Sequence, residues 1–139
     1  MITDKYKGLA TTLAKTKAAV SGSNAVVELA QKLFHSRDVI HLAHLKTTSY
    51  AAHNALGDFY DGILGFADEL IETAQGCEQK LMNVEIPAAK YEEPLPYLLK
   101  LKEEVISMRD KMEYEFQKNI TDEITALIAK TCYKLKFLK

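Results

Sequence analysis

A chain of 139 residues, 47% hydrophobic and 27% charged, is long enough for one domain with its own core and too apolar for a disordered polymer. No run approaches the ~18 apolar residues of a membrane span, and Lys and Thr interrupt the N-terminal stretch MITDKYKGLATTLAKTKAAV too often for a hydrophobic signal core, so secretion is not expected. The net charge of −1 conceals +3 over residues 1–24 and +4 over 130–139 against −8 between them, which confines any attraction for nucleic acid to the basic ends.

Residues 1–24 are small, polar and dotted with Lys5, Lys7, Lys15 and Lys17, and they end in SGSN. That composition predicts a flexible tail followed by a helix capped at Ser23 or Asn24. The first helix is expected from about Ala25 to Lys46, with Val26, Leu29, Leu33, Ile40 and Leu45 on its apolar stripe. Thr47, Thr48 and Ser49 are poor helix formers and good caps, so they break the chain there. A second helix follows from about Tyr50 to Gln75, burying Leu56, Phe59, Ile63, Phe66, Ala67 and Leu70 and stopping at Gly76. Gly57, Gly62 and Gly65 inside it each cost about 1 kcal/mol relative to Ala, which suggests close approach of another backbone.

Residues 77–93 form a long connection with room for a short helical turn. Pro94 and Pro96 open a third helix, to about Phe116, with Leu98, Leu101, Val105, Met108 and Met112 inward as core filler. A fourth helix is expected to start at NITDE, with Asn119 or Thr121 as cap and Ile124, Leu127, Ile128, Leu135 and Leu138 among its apolar positions. No hairpin or period-2 pattern competes. The expected fold is all-α: an antiparallel four-helix bundle over residues 25–139, behind a basic tail over 1–24.

Most catalytic templates are missing: there is no Gly-rich phosphate loop, GxSxG or HExxH, and Cys77 and Cys132 stand 55 residues apart as reduced thiols of a cytosolic protein. The Glu-x-x-His pairs of carboxylate-bridged bundles are also missing, Asp38-x-x-His41 being the nearest approximation. What stands out is HLAHLKTTSYAAHNALGDFYDGILGFADELIE, residues 41–72. Asp68 and Glu72 share a helix face at i, i+4 and could grip one hard cation. His53 lies fifteen residues earlier on the same helix, roughly 22 Å away at 1.5 Å per residue. His41 comes towards His53 through the turn at 47–50. The two pairs could share a metal only if a two-fold-related second copy laid its carboxylates beside the first copy's histidines.

The array His41-x11-His53-x14-Asp68-x3-Glu72 resembles the ferroxidase signature of Dps, the DNA-binding protein from starved cells, a relative of ferritin. FYDGILGFADELIETAQG and DEITALIAKTCYKLKFL resemble that family's second and last helices, so the likeness covers residues 25–138, and 41–76 most specifically. The resemblance implies a ferritin-like bundle assembled as a hollow dodecamer of two-fold dimers. It also implies Fe²⁺ oxidised by peroxide at catalytic His41 and His53 of one subunit and Asp68 and Glu72 of its mate, with Glu72 able to bridge two irons and ferric mineral stored inside. Asp58, Asp61 and His44 are further metal candidates, although His44 is expected rather to face solvent or to support the ligands from behind. Zn²⁺ would accept the same donors.

Two positions depart from the family pattern. Leu42-Ala43 stand where Trp-Asn is usual, and Gly57 stands where an acid is common. HLKTTSYAAHNALGDFYD also looks like Dps-like proteins of tailed bacteriophages. The second hypothesis is therefore a non-catalytic oligomer that associates with DNA through Lys5, Lys7, Lys15 and Lys17, or a virion or host-takeover component. A monomeric helical interaction domain is a third. A cytoplasmic location, or host cytoplasm or virion for a phage protein, goes with these readings. His35 and the tyrosines Tyr50, Tyr60 and Tyr133 are expected to be ordinary packing residues.

Overall fold

The structure, a computed structural model, describes residues 22–139; the expected Lys5, Lys7, Lys15 and Lys17 tail lies outside them. Four helices, α1 (Gly22–Lys46), α2 (Tyr50–Glu78), α3 (Pro94–Arg109) and α4 (Glu115–Phe137), make up the fold, and no strand occurs among the described residues. The helices form a bundle: α1 packs on α2, α3 on α4, α2 on α4, and α1 more sparingly on α3. No helix of the described residues is long and apolar enough to cross a membrane.

One core runs through the bundle. Val26, Leu29, Leu33 and Ile40 of α1 meet Leu56, Phe59, Ile63, Ala67 and Leu70 of α2, with Leu98, Leu101, Val105 and Met108 of α3 and Ile124 and Ile128 of α4 closing the far side. These are the stripes expected from the 3.6-residue period. Two positions differ. Leu45 is 67% exposed, because Ala43 takes the inward place and a residue two further along a helix points away from it. Leu138 is 46% exposed because α4 has ended beneath it.

The termini need more correction than the interiors. α1 begins at Gly22, so Ser23 and Asn24 fall within its first turn. α2 runs past Gly76 to Glu78 and is closed by Gln79, which takes the left-handed conformation (φ 54°) and donates its Nε2–H to the Gly76 carbonyl at 2.6 Å. α3 ends at Arg109 and α4 starts at Glu115, ahead of the expected 119–121. Asn119 is an exposed position inside α4, and the Thr121 hydroxyl, buried, donates back to the Gln117 carbonyl at 2.8 Å instead of capping anything. The Tyr114 backbone N–H is met by the Gln117 side chain at 3.4 Å, which fixes the start. Asp122, expected in a first turn, accepts a two-pronged bond from Arg109 at 2.5 and 3.1 Å and ties α4 to the end of α3.

The connection after α2 contains no helical turn. It is extended chain held along α1 and α2: Met82 N–H bonds the Gln75 side chain at 2.9 Å, and Glu85 N–H bonds the Gln31 side chain at 2.8 Å. Further on, the Lys46 ammonium sits 4.5 Å over the Tyr91 ring.

Asn119→Ala discriminates between the two starts of α4. In a helix interior Ala is favoured over Asn by up to about 0.7 kcal/mol, whereas loss of a cap costs about 1 kcal/mol. The urea midpoint of Asn119→Ala is expected at or slightly above that of the parent chain; a clear drop would move the helix start to residue 119.

Candidate functional site

The turn between α1 and α2 is built by hydroxyls. Ser49 is the N-cap of α2, its Oγ accepting from Ala52 N–H at 3.2 Å, while Thr47 Oγ1 accepts from Ser49 N–H at 3.2 Å. With α2 starting at Tyr50, His53 lands in its first turn, opposite the last turn of α1. There the helix end leaves carbonyls without intrahelical partners. Thr47 N–H takes the Ala43 carbonyl at 3.0 Å, and the His44 carbonyl accepts from His53 Nδ1–H at 3.0 Å. His44 returns the bond, its Nδ1–H donating to the His53 carbonyl at 2.7 Å.

A carbonyl has no proton to give, so both rings carry one on Nδ1, and in the neutral tautomer that satisfies these bonds the lone pair is on Nε2. The rings stack with centroids 3.7 Å apart and planes inclined by 22°. Tyr60, one turn beyond Gly57, closes the cluster: its ring lies 4.3 Å from His41 and meets His44 edge-on at 5.2 Å. His41 and His44 are 6.0 Å apart. All four side chains are half-buried.

Gly57 lets the His44 ring in. A Cβ at position 57 would stand 3.3 Å from His44 Cε1 and 3.4 Å from His44 Nδ1, tighter than side chains normally pack. At Gly62 the close neighbour is Leu127 Cδ2, at 3.2 Å. Side chains, not another backbone, make both approaches.

Of the sequence-derived candidates, the structure brings His41, His44 and His53 together. It leaves Asp68 and Glu72 exposed on α2, far along the helix from His53. Among the described residues no group of three or more His, Cys, Asp or Glu within the chain could hold a metal. His44 is neither solvent-facing nor a co-ligand of His53 in this arrangement. Two imidazoles bound through ~2 Å bonds to one tetrahedral ion have ring centres roughly 5 Å apart, wider than the observed stack. Asp58 is drawn away towards α4, where Lys134 Nζ lies 3.6 Å from its Oδ2, and Asp61 is exposed. Tyr50 (80% exposed) and Tyr133 (54%) stand in solvent.

No motif foreshadows a second polar cluster. Tyr97 of α3 reaches His35 of α1, hydroxyl to Nδ1 at 3.4 Å, beside a cavity of about 430 Å³ edged by Lys32, Glu93, Lys100 and Glu104. The Lys32–Glu104 ion pair (2.6 Å) closes one wall. Burial, followed by the charges of Glu92 and Glu104, pushes the Tyr97 phenol well above its ordinary value of 10.0. The two cysteines are free thiols. Cys77 is exposed, and Cys132 is buried with its thiol pushed up by that burial against a smaller opposing effect of Lys102.

Residues 44–135 match DUF5856, a family of unknown function. The match takes in His44, His53, Gly57, Asp68 and Glu72, and His41 lies just outside it. No curated protein and no solved structure matches the chain.

The Tyr97 environment carries a pH dependence with a definite sign. Its folded-state pKa is raised, so ionisation begins first in the unfolded chain, and the stabilisation present below about pH 10 is lost as pH rises beyond it. Replacing Tyr97 with Phe is expected to flatten the fall in stability between about pH 10 and 11.5, measured by urea unfolding. An unchanged slope would show that Tyr97 ionises no later in the folded protein than in the unfolded chain.

Proposed function

The chain belongs to the DUF5856 family, and we propose that within it this protein is a Dps-like, antiparallel ferritin-type bundle that binds Fe²⁺ between two-fold-related copies, oxidises it and stores the ferric product. The observation that carries the proposal is the state of His53. Histidines that bind metal characteristically donate the other ring N–H to a carbonyl or carboxylate, which orients the ring and leaves Nε2 for the metal, and His53 makes that bond to the His44 carbonyl. The helix order supports the same reading. The link after α2 returns along α1 from Gln31 towards Lys46 before α3 begins, and a single long crossover of this kind is the ferritin-like route.

In the proposed site His41 and His53 of one copy supply imidazole nitrogens to substrate iron. Asp68 and Glu72 of a second copy would supply charge and oxygen donors, and the resemblance to Dps gives Glu72 the bridging role. Mixed imidazole and carboxylate ligation with open positions suits ferrous iron. Two ferrous ions would each give one electron to hydrogen peroxide, whose O–O bond breaks to leave two hydroxides that water and mineral take up. A hollow dodecamer would hold the mineral, in a cytoplasmic or, for a phage protein, a host-cell or virion setting. Association with DNA through Lys5, Lys7, Lys15 and Lys17 belongs to the same proposal.

One observation favours a second version without efficient oxidation. The His44 ring fills the space beside position 57, where an acid is common in Dps, and the neighbouring Asp58 turns instead towards Lys134. An oligomer of this kind would bind iron, or Zn²⁺, at one ion per site and act as a structural or DNA-associating protein.

Native mass and metal analysis of protein purified without chelator test the assembly: an even-numbered oligomer is expected, and a monomer that still holds iron would overturn the inter-copy site. His53→Ala and Asp68→Ala should each weaken Fe²⁺ binding at least ~10-fold. Asp68→Ala should unfold as the parent chain does because Asp68 is exposed. Unchanged iron uptake in both would show that the spacing is coincidental. For DNA, a gel-shift titration at two salt concentrations should give sequence-independent binding that falls steeply with salt and is lost without residues 1–20.

A further inference from the structure

We infer that His44 is a positioning residue for His53, and that Gly57 is the gap in α2 that admits it. The inference rests on the proposed metal site only for what His53 finally binds; the positioning itself stands on the geometry. The two imidazoles are held face to face at 3.7 Å, and each donates from Nδ1 to the other residue's backbone carbonyl, at 2.7 and 3.0 Å. Neither ring can turn over without breaking its own bond and the stack together. A solvated imidazole exchanges its proton between both nitrogens, whereas this pair is fixed with Nε2 open on each ring. Of the two, only His53 stands in the four-residue array with His41, Asp68 and Glu72.

Gly57 completes the device. It lies one turn after His53 on the same helix, and a Cβ there would press on the His44 ring at 3.3 Å. Any larger side chain at 57 therefore acts on His53 indirectly, by displacing its partner. Tyr60 limits the escape route, because it meets His44 edge-on on the side shared with His41. Gly57 is thus a requirement of His44: the space that a side chain at this position would take is filled by a ring from the neighbouring helix.

Three single variants of the full chain and one double variant test this: His44→Ala, His44→Gln, whose amide N–H can still donate to the His53 carbonyl, Gly57→Val, and His44→Ala combined with Gly57→Val. The first readout needs no metal. Long-range ¹H–¹⁵N NMR at about pH 8 reports which nitrogen of each imidazole is protonated. The metal-free parent should show Nδ1–H on both His44 and His53. His44→Ala and Gly57→Val should each convert His53 to an exchanging mixture, with His44→Gln largely restoring it. Gly57→Val should add nothing further in the His44→Ala background, since both act through one ring. A parent His53 protonated on Nε2, or a His53 signal unchanged in both single variants, would overturn the inference.

The second readout is Co²⁺ titration followed by its visible absorption. His44→Ala should weaken binding ~10-fold relative to the parent, with recovery in His44→Gln. If the NMR changes appear and the parent takes up no Co²⁺, the metal reading of the site fails and the positioning role stands. If Co²⁺ binds and the imidazole signals ignore His44 and Gly57, the positioning role fails and the metal reading stands.

Discussion

Three residues are all that separate α1 from α2, and such a short connection brings the unpaired carbonyls of one helix end against the first turn of the next. The molecule satisfies that constraint with side chains. Ser49 and Thr47 shape the turn, and His44 and His53 bond across it. Orphaned carbonyls at a half-buried helix end are costly to leave unpaired. The local need for a donor therefore explains why the His53 imidazole turns its Nδ1 to the His44 carbonyl, while the His53 carbonyl, inside α2, takes the His44 Nδ1–H as an additional donor. What the site can do follows from the nitrogens left outward.

The same economy explains how the helices are tied together elsewhere. The long link between α2 and α3 leaves much of its own apolar surface uncovered, Leu81, Ile86 and Tyr91 being exposed, and glutamine side chains of α1 and α2 hold it by accepting its backbone N–H groups. At the opposite junction Arg109 forks onto Asp122 and draws α4 against the end of α3. An exposed pair of this kind contributes modestly to stability; its effect here is on geometry. Gln117 is buried because it performs two such tasks, meeting the Tyr114 N–H with its side chain and the Thr121 hydroxyl with its carbonyl.

The donor sets are separated along the chain. Imidazoles gather at the turn, while Asp68 and Glu72 stay exposed farther along α2. Among the described residues no group of three or more His, Cys, Asp or Glu within the chain could hold a metal, so the proposed site takes its donors from two copies. The glycine at 57 fits this division, since it removes a side chain from the imidazole end and lets a third ring enter.

The amino-acid sequence by itself determined the elements and their inward faces. Leu29, Leu33, Phe59, Ile63, Leu98, Val105, Ile124 and Ile128 recur at helical spacing, and periodicity is a property of contiguous residues that burial merely expresses. The break at Thr47–Ser49 was legible for the same reason, because capping chemistry is local. A three-residue turn between helices also brings His53 back to the end of α1 that carries His41 and His44, where it stacks on His44. Only the tertiary structure decided the rest. Asn119 and Thr121 carry the composition of a cap, yet Gln117 and Tyr114 set the start of α4 because Met112 is drawn into the core just ahead of them. Gly76 looks like a stop, but α2 continues to Glu78 while Gln79 supplies the left-handed residue. The His44–His53 clasp, the reason for Gly57, and the reach of Tyr97 to His35 each depend on the distance between two separate helices. That distance is set by how all the side chains between them pack, and no stretch of the chain contains it alone.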